Sequence, residues 1–422
     1  MNPRPIYSNS RPVSVTAFWR WWFVVQGSLL TAWSLATIDS HVKASYIVLG
    51  VIAGIIEGIL LLLSTLRVPR NILVRFLFAL NVLLQITAYP LIVALGVNNL
   101  LLHAGITRPL IASLVMIVIT VLVIVIHIPY AMALFAPLNN GWAQSIAMIY
   151  GFAWIVGGSQ FMMGKVNKNV YSHIWRDLLN TGVYGAILFV VVGAIAMYQW
   201  GYRGPSWRFN PLAQPWILAL LAASCLLFLG WNTFTNPNSF RSLYTWEFHL
   251  KSVTFYWFAQ GLEPGIAEEW LWRYIILALL LTGLRKSRWQ IPGSVFLTGL
   301  LFGLWHATNA LGGAQGVLAT AVQMQFAMIS GWFMAALYLY SGSFSVPMIF
   351  HALIDILAMM ATGSIVSTAP TRNEYIWSTV TELVFVAISI WLLTGKRRTA
   401  MQWTVDNIVP GNPLHFATPF VG

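Results

Sequence analysis

The ionisable residues that could do chemistry in this 422-residue chain form three short clusters within apolar sequence. The first cluster, AEEWLWR, holds Glu268, Glu269 and Arg273. Because residues four apart share a helix face, Glu269 and Arg273 are expected to form a charge-assisted pair. Neighbouring carboxylates repel each other in apolar surroundings, and Glu268 points away from that pair, so Glu268 is a candidate general base. The structural alternative is a helix that begins after a GLEPG turn and whose acidic first residues interact with the helix dipole.

The other two clusters each contain a histidine. In FGLWHA, His306 follows Phe302 by one helical turn, and in FHALID, His351 and Asp355 are four residues apart and share a face. Alone, His306 is typical of a packing residue, and His351 with Asp355 of an intrahelical hydrogen bond. On separate helices of one bundle the clusters can converge, where imidazoles and carboxylates could activate a water molecule, with or without a metal ion. Together they predict hydrolysis inside a membrane.

The composition requires a membrane around the helices that carry these clusters. Hydrophobic residues make up 58% of the chain and charged residues 8%, which excludes a soluble globular domain. The mean hydropathy of +0.74 excludes a disordered chain. We predict an all-α fold, a polytopic membrane helix bundle of about twelve transmembrane helices, each of about 20 residues, with the catalytic core in the C-terminal part. The predicted spans are 18–38, 45–66, 74–96, 110–136, 142–163, 182–199, 216–234, 264–283, 292–308, 317–340, 345–362 and 375–394.

The net charge of +12 predicts orientation rather than a nucleic-acid-binding patch, because Lys and Arg punctuate the apolar runs. An even number of spans and the Lys and Arg content of the loops place both termini in the cytoplasm, for a multi-pass protein of the cell membrane if the source is prokaryotic. Lys165, Lys168 and Arg176 violate this pattern, so one middle segment is expected to be re-entrant or miscounted.

The run after Arg20 lacks the pattern of a cleavable signal peptide. The single cysteine, Cys225, excludes a disulfide framework.

Ionisable groups within spans concentrate in one region, which predicts three parts. Residues 1–244 form an accessory transmembrane bundle, residues 245–395 the working core and residues 396–422 a cytoplasmic tail. Residues 244–260, with Glu247 and His249, are interpreted either as an interfacial helix that gates substrate entry or as a surface linker.

Three further polar residues lie within spans but outside the clusters. Glu57 is expected to hydrogen-bond to a neighbouring helix, and Glu382 to border the cavity. His127 precedes Pro129, which predicts a kink because proline removes a backbone hydrogen bond.

The three clusters, in this order on successive hydrophobic segments, resemble the CPBP family of intramembrane proteases, which includes the type II CAAX prenyl endopeptidases. The resemblance covers about residues 245 to 395. It is carried by EExxxR, FxxxH and HxxxD, here Glu268, Glu269 and Arg273, then Phe302 and His306, then His351 and Asp355.

The resemblance implies a peptidase in which Glu268 activates water with help from His306. His351 and the residue four positions later would stabilise the oxyanion, while Glu269 and Arg273 hold the site in shape. The prenyl endopeptidases carry Asn at that last position, whereas an ionised Asp355 cannot donate a hydrogen bond. Asp355 is therefore either protonated, or orients His351, or helps to hold a metal. The family is described both as metal-dependent and as glutamate-type, so a bound zinc ion stays open, with Glu268, His306, His351 and Asp355 as candidate ligands.

The implied partners are a membrane-embedded or lipid-anchored peptide or protein substrate and the lipid bilayer, with no nucleic acid. Cleavage of a CAAX-like terminus, or processing of a C-terminal sorting signal or precursor, fits that substrate class. Two non-proteolytic functions stay open. One is a proton-coupled secondary transporter, which predicts internal repeats that the sequence does not contain. The other is a non-catalytic immunity or scaffold membrane protein.

Overall fold

The computed structural model describes residues 17–37, 44–63, 72–163, 170–234 and 250–409. Within these ranges the regular secondary structure is helical and no strand is present, so the predicted all-α membrane bundle is confirmed. The described residues divide into two compact units, the first ending at Gly201 and the second beginning at Tyr202. All seven motif residues lie in the second unit.

The described residues of the first unit form seven α-helices. The longest, α3 (Ile72–His103), contains Pro90, and α4 (Pro109–Tyr130) passes directly into a π-helical segment, Ala131–Phe135, just after Pro129. The missing N–H of Pro129 is thus accommodated by a wider turn rather than by the end of the helix. The helices are α1 (Ala17–Ala36), α2 (Ala44–Leu63), α3 (Ile72–His103), α4 (Pro109–Tyr130), α5 (Gly141–Ser159), α6 (His173–Asn180) and α7 (Val183–Gln199).

The second unit begins with α8 (Pro215–Phe234) and α9 (Phe255–Glu269). From α9 the backbone continues without a break through a π-helical segment, Trp270–Ile276, into α10 (Leu277–Gly283). The remaining helices are α11 (Gln290–Trp305), α12 (Ala307–Leu311), α13 (Val317–Ser341), α14 (Ser345–Thr362), α15 (Arg372–Leu392) and α16 (Gly395–Ile408). Of the predicted tail, residues up to Ile408 thus form a helix, in which Ala400 and Met401 are buried.

The described parts of all twelve predicted spans are mainly helical, but fewer meet a strict test of length and hydropathy. Eight described helices pass it, or nine if the pair α6 and α7, bent by 55°, counts as one broken span. That bend lies beside Arg176, where the charge pattern predicts a re-entrant or miscounted segment; Lys165 and Lys168 lie outside the described residues. The helix that contains 264–283 does not pass, because it carries the charges of the first motif. The predicted span 18–38 corresponds to α1, which does not pass, and the predicted span 45–66 corresponds to α2, of which the stretch Ile52–Leu63 forms a shorter apolar helix.

The surface and the core of the second unit differ as expected for a membrane protein. Leu226, Leu383 and Ile390 are more than half exposed, as is typical of apolar side chains on the lipid-facing sides of membrane helices. Inside, aromatic rings from different helices pack together, and the rings of Phe333 on α13 and Phe385 on α15 stack with centroids 4.5 Å apart. This core holds the helices that position the motif residues.

Candidate active site

The first and third motifs are held together by a close contact between α9 and α14. Gly261 and Gly265 on α9 face the α14 backbone, and a Cβ atom on Gly265 would lie 2.6 Å from Cβ of Ala352. A Cβ atom on Gly261 would lie 2.7 Å from the carbonyl carbon of Asp355. Small residues four apart let transmembrane helices approach closely, which sets the depth of His351 and Asp355 against the first motif.

Replacing Gly265 with Ala is expected to lower the free energy of unfolding by about 1–3 kcal/mol, because the new methyl group forces α9 and α14 apart. The matched control is Gly157→Ala on α5, where a Cβ atom would meet nothing within 4 Å. That change is expected to be neutral or stabilising by about 0.5–1 kcal/mol, since Ala favours the helix. Thermal unfolding of the two variants in detergent checks this; equal midpoints would contradict the close contact.

The second motif is positioned by a similar contact between α11 and α13. Cβ atoms on Gly299 and Gly303 would lie 2.8 Å from the Met328 carbonyl oxygen and 2.7 Å from that of Met324. The helix ends at Trp305, so His306 lies at its C-terminal cap. The imidazole of His306 is thereby placed at the end of α11.

A buried ionic group forms the floor of the site. Arg273 Nη2 lies 3.2 Å from Glu269 Oε1, and both side chains are 0% exposed. The same oxygen lies 2.7 Å from His351 Nδ1, so Glu269 joins α9 to α14. The Arg273 guanidinium lies 4.3 Å from the ring centroid of Phe302, and Nη2 also contacts Sδ of Met334 at 3.8 Å. One carboxylate therefore organises residues from all three motifs.

Arg273 lies within the π-helical segment that follows Glu269. Single π-helical turns inside α-helices occur frequently at functional sites, because the extra residue changes the direction of the side chains that follow. Here the segment begins immediately after the two glutamates. The pairing of Glu269 with Arg273, expected from regular α-helical spacing, therefore forms across the start of a π-helical turn.

The other face of His351 points to two more carboxylates. His351 Nε2 lies 3.4 Å from Asp355 Oδ2 and 3.8 Å from Glu268 Oε2. The imidazole thus lies between Glu269 on one side and Asp355 with Glu268 on the other. Exposure rises in the same direction, from 0% for the Glu269 side chain to 15% for Glu268 and 26% for Asp355. Glu268 and Asp355 therefore lie on the accessible side of the group.

Glu268 interacts electrostatically with both histidines, His306 and His351. His306 Nδ1 lies 3.0 Å from the carbonyl oxygen of Phe302. Since a carbonyl oxygen only accepts, Nδ1 must carry the proton that is donated, and in the neutral imidazole Nε2 keeps its lone pair. The structure therefore brings the carboxylate of the first motif together with the imidazoles of the second and third.

Glu263 is a further acidic residue of this region that the sequence analysis missed. It interacts electrostatically with Glu268, Asp355 and His351. The GLEPG segment was interpreted as a turn, and this is wrong: α9 begins at Phe255 and passes through Pro264 without ending. Residues 255–260 of the predicted interfacial segment belong to the same helix, while 244–249, with Glu247 and His249, lie outside the described residues. The signal that could have identified Glu263 is a carboxylate within a largely apolar helix, where a charge is costly and often functional.

The polar residues outside the motifs have partners of their own. Glu57 accepts from Gln85 Nε2 at 3.3 Å, a contact between neighbouring helices as predicted. His127 Nδ1 lies 2.7 Å from the carbonyl oxygen of Val123. On α15, Glu382 accepts from Gln325 Nε2 at 2.6 Å and from Ser378 Oγ at 3.0 Å.

The placement of the donor atoms bears on the predicted metal ion. Among the residues that the structure describes, no three His, Cys, Asp or Glu side chains are placed to hold one ion. Two atoms that could face an ion, His351 Nδ1 and Glu269 Oε1, are engaged with each other at 2.7 Å. His351 Nε2, however, lies 3.4 Å from Asp355 Oδ2 and 3.8 Å from Glu268 Oε2. A metal ion held by Glu268, His306, His351 and Asp355 therefore stays a prediction, and the chemistry below is derived from the side chains alone.

Comparison with known families gives one match. Residues 250–357 match the family model of the type II CAAX prenyl endopeptidase Rce1-like proteins. The matched segment contains all three motifs, so the resemblance predicted from them is confirmed over this part of the chain. Neither the curated proteins nor the solved structures include a match to the chain.

Proposed function

We propose that this multi-pass membrane protein, whose Rce1-like segment indicates a CAAX-type intramembrane protease, hydrolyses a peptide bond with a water molecule activated by Glu268. The observation that carries the proposal is the position of the Glu268 carboxylate, which interacts with the imidazoles of His306 and His351 on the accessible side of a buried ion pair.

In the proposed reaction Glu268 accepts a proton from water while the water oxygen forms a bond to the peptide carbonyl carbon. When the C–N bond breaks, the proton passes to the leaving amine. His306 assists through Nε2, which keeps its lone pair because Nδ1 donates its proton to the Phe302 carbonyl oxygen. These steps balance with water as the only co-reactant, as expected for general acid–base hydrolysis.

The stabilisation of the negative charge that develops on the carbonyl oxygen is assigned to His351. In its doubly protonated form, His351 donates Nδ1–H to Glu269 and has Nε2–H to donate to the oxyanion. Asp355, 3.4 Å from Nε2, accepts this N–H in the free site and so orients the ring, and the oxyanion replaces it as the acceptor during the reaction. The proposal thereby selects one of the three roles that the sequence leaves open for Asp355.

Substrate and orientation are part of the proposal. The substrate is a membrane-embedded or lipid-anchored peptide, cleaved near its C-terminus. Both termini face the cytoplasm, because Lys and Arg concentrate in the loops 284–289 and 393–398.

The test compares the membrane peptides of source cells with and without this protein. We expect a set of C-terminal fragments that appears only when the protein is present, and the cleavage site that they define supplies a peptide for assays with the purified protein. Identical C-termini in both cell lines would contradict a peptidase. Proton-coupled uptake into vesicles would favour the transporter.

A second arm of this test concerns metal. Cleavage of that peptide by purified protein is expected to persist after exhaustive dialysis against a chelator, since the proposed steps use only side chains and water. Loss of cleavage that added zinc restores would overturn the metal-free mechanism.

A further inference from the structure

One end of the second unit is built from segments that are far apart in sequence and tied together by hydrogen bonds. Tyr202 Oη donates to Thr282 Oγ1 at 3.0 Å, which places residues 202–214 at the end of α10. The backbone N–H of Asn210 donates to the carbonyl of Ser341 at 2.7 Å, at the end of α13. Its side-chain amide donates to the carbonyl of Ala400 on α16 at 2.8 Å. These bonds fix three loops and α16 into one layer.

Arg398 draws the two most basic segments of this layer together. Its Nη2 donates to the carbonyl oxygen of Arg288, so residues 396–398 approach residues 285–288 across about a hundred positions of sequence. We call the result the basic end, defined by Arg203, Arg208, Arg285, Lys286, Arg288, Lys396, Arg397 and Arg398.

The basic end has almost no internal counter-charge. Residues 202–214, 284–289 and 393–409 contain a single carboxylate, that of Asp406, which already accepts from Gln402 Nε2 at 2.9 Å. Among the described residues, the opposite end of the same helices carries Lys251, Arg372 and Glu374 near its loops. Because like charges repel, gathering eight cations in one layer favours the binding of anions there.

Two of these cations, Arg397 and Arg398, make contacts that hold the layer together. Arg397 Nε donates to the carbonyl of Trp391 at 2.6 Å, and its guanidinium lies 4.4 Å from the Trp391 ring centroid. Arg398 holds the two basic segments together. Lys286, Arg288 and Lys396, in contrast, are exposed.

Tryptophan side chains place the basic end at the depth of lipid headgroups. Trp216 and Trp289 are 58% and 57% exposed, and the ring of Trp216 lies 6.0 Å from that of Trp391. The guanidinium of Arg288 lies 5.6 Å from the ring centroid of Trp289. Tryptophan concentrates at the membrane–water interface, so these rings place the neighbouring cations beside phosphate groups rather than far out in solvent.

We infer that the basic end is a binding site for the phosphate-bearing headgroups of anionic membrane lipids, with Lys286, Arg288 and Lys396 as the principal contacts. Clusters of Lys and Arg beside a membrane attract anionic lipid, and here the fold, not only the sequence, assembles the cluster. This inference stands independently of the proposed peptidase activity.

The experiment measures lipid retained by the intact full-length protein in native mass spectrometry, after titration with phosphatidylglycerol or phosphatidylcholine. The wild type is expected to retain phosphatidylglycerol at least about tenfold better than phosphatidylcholine. The variant Lys286→Gln, Arg288→Gln, Lys396→Gln should lose most of that preference. The matched control, Lys251→Gln with Arg372→Gln at the opposite end, should keep it.

Two further measurements distinguish lipid phosphate from free phosphate and control for misfolding of the variants. Inorganic phosphate, added at the same phosphate concentration, should raise the thermal unfolding midpoint less than phosphatidylglycerol does; an equal rise would overturn the lipid as the ligand. The variant Lys286→Arg, Lys396→Arg keeps the charge and should keep the preference. Equal retention of the two lipids by the wild type, or a preference that survives the triple Gln variant, would overturn the inference.

Discussion

Replacing Glu268 with Gln is expected to lower the rate of peptide cleavage by about 10²–10⁴-fold, the usual contribution of a general base. Gln has the same shape as Glu but cannot accept a proton from water. The buried pair of Glu269 and Arg273 does not include Glu268, so the variant should fold. The measurement is the single-turnover cleavage of a membrane-anchored peptide by protein in detergent or vesicles, together with the thermal unfolding midpoint.

Glu57→Gln is the matched control for this result. Glu57 is another buried carboxylate in a membrane helix, but it belongs to the first unit and accepts from Gln85. We expect the Glu57→Gln variant to cleave the peptide at the same rate as the wild type. If the folded Glu268→Gln protein cleaves at the full rate, Glu268 is not the general base.

Replacing Arg273 with Met is expected to lower the free energy of unfolding by about 3–5 kcal/mol, the typical effect of removing one partner of a buried ion pair. Met fills similar space but leaves Glu269, which is 0% exposed, without its cation. The bond from His351 Nδ1 is the one compensating contact of Glu269 that the structure places nearby. Denaturant or thermal unfolding in detergent measures the loss.

A double-mutant cycle makes this prediction specific to the pair. Adding Glu269→Gln to Arg273→Met should restore part of the lost stability, because the buried negative charge is then removed as well. Lys251→Met, at an exposed position, is the control and is expected to stay within about 0.5 kcal/mol of the wild type. Additive losses in the double variant would contradict the ion pair as the source of the effect.

The parts of the site that could be predicted from the sequence are those set by local helix geometry. The spacing of four residues predicted the contact of Glu269 with Arg273, and that of His351 with Asp355, and both are present at 3.2 and 3.4 Å. The bond from His351 to Glu269 could not be predicted, because it depends on how α9 packs on α14. The glycines at 261 and 265 are the sequence feature that could have indicated this packing.

Other differences have equally local causes. Pro264 was interpreted as part of a turn, although a helix can pass through a proline, and so Glu263 was left out of the site. The basic loops were interpreted one by one as orientation signals, because the contact that joins residues 285–288 to 396–398 runs through a backbone carbonyl and has no pattern in the sequence. The helical character of each span was predictable from apolar runs, whereas the bend between α6 and α7 was not located.

The graded exposure around His351 has a consequence for catalysis at depth in a bilayer. The acidic side chains pass from 26% exposed at Asp355 to 15% at Glu268 and 0% at Glu269, over the width of one imidazole. The accessible surface of the site therefore ends at Glu268. In the proposed mechanism, water reaches the base from the side of Asp355, while the ion pair of Glu269 and Arg273 beneath has no accessible surface. The proposed reaction thus needs no aqueous channel that extends beyond Glu268 into the core of the protein.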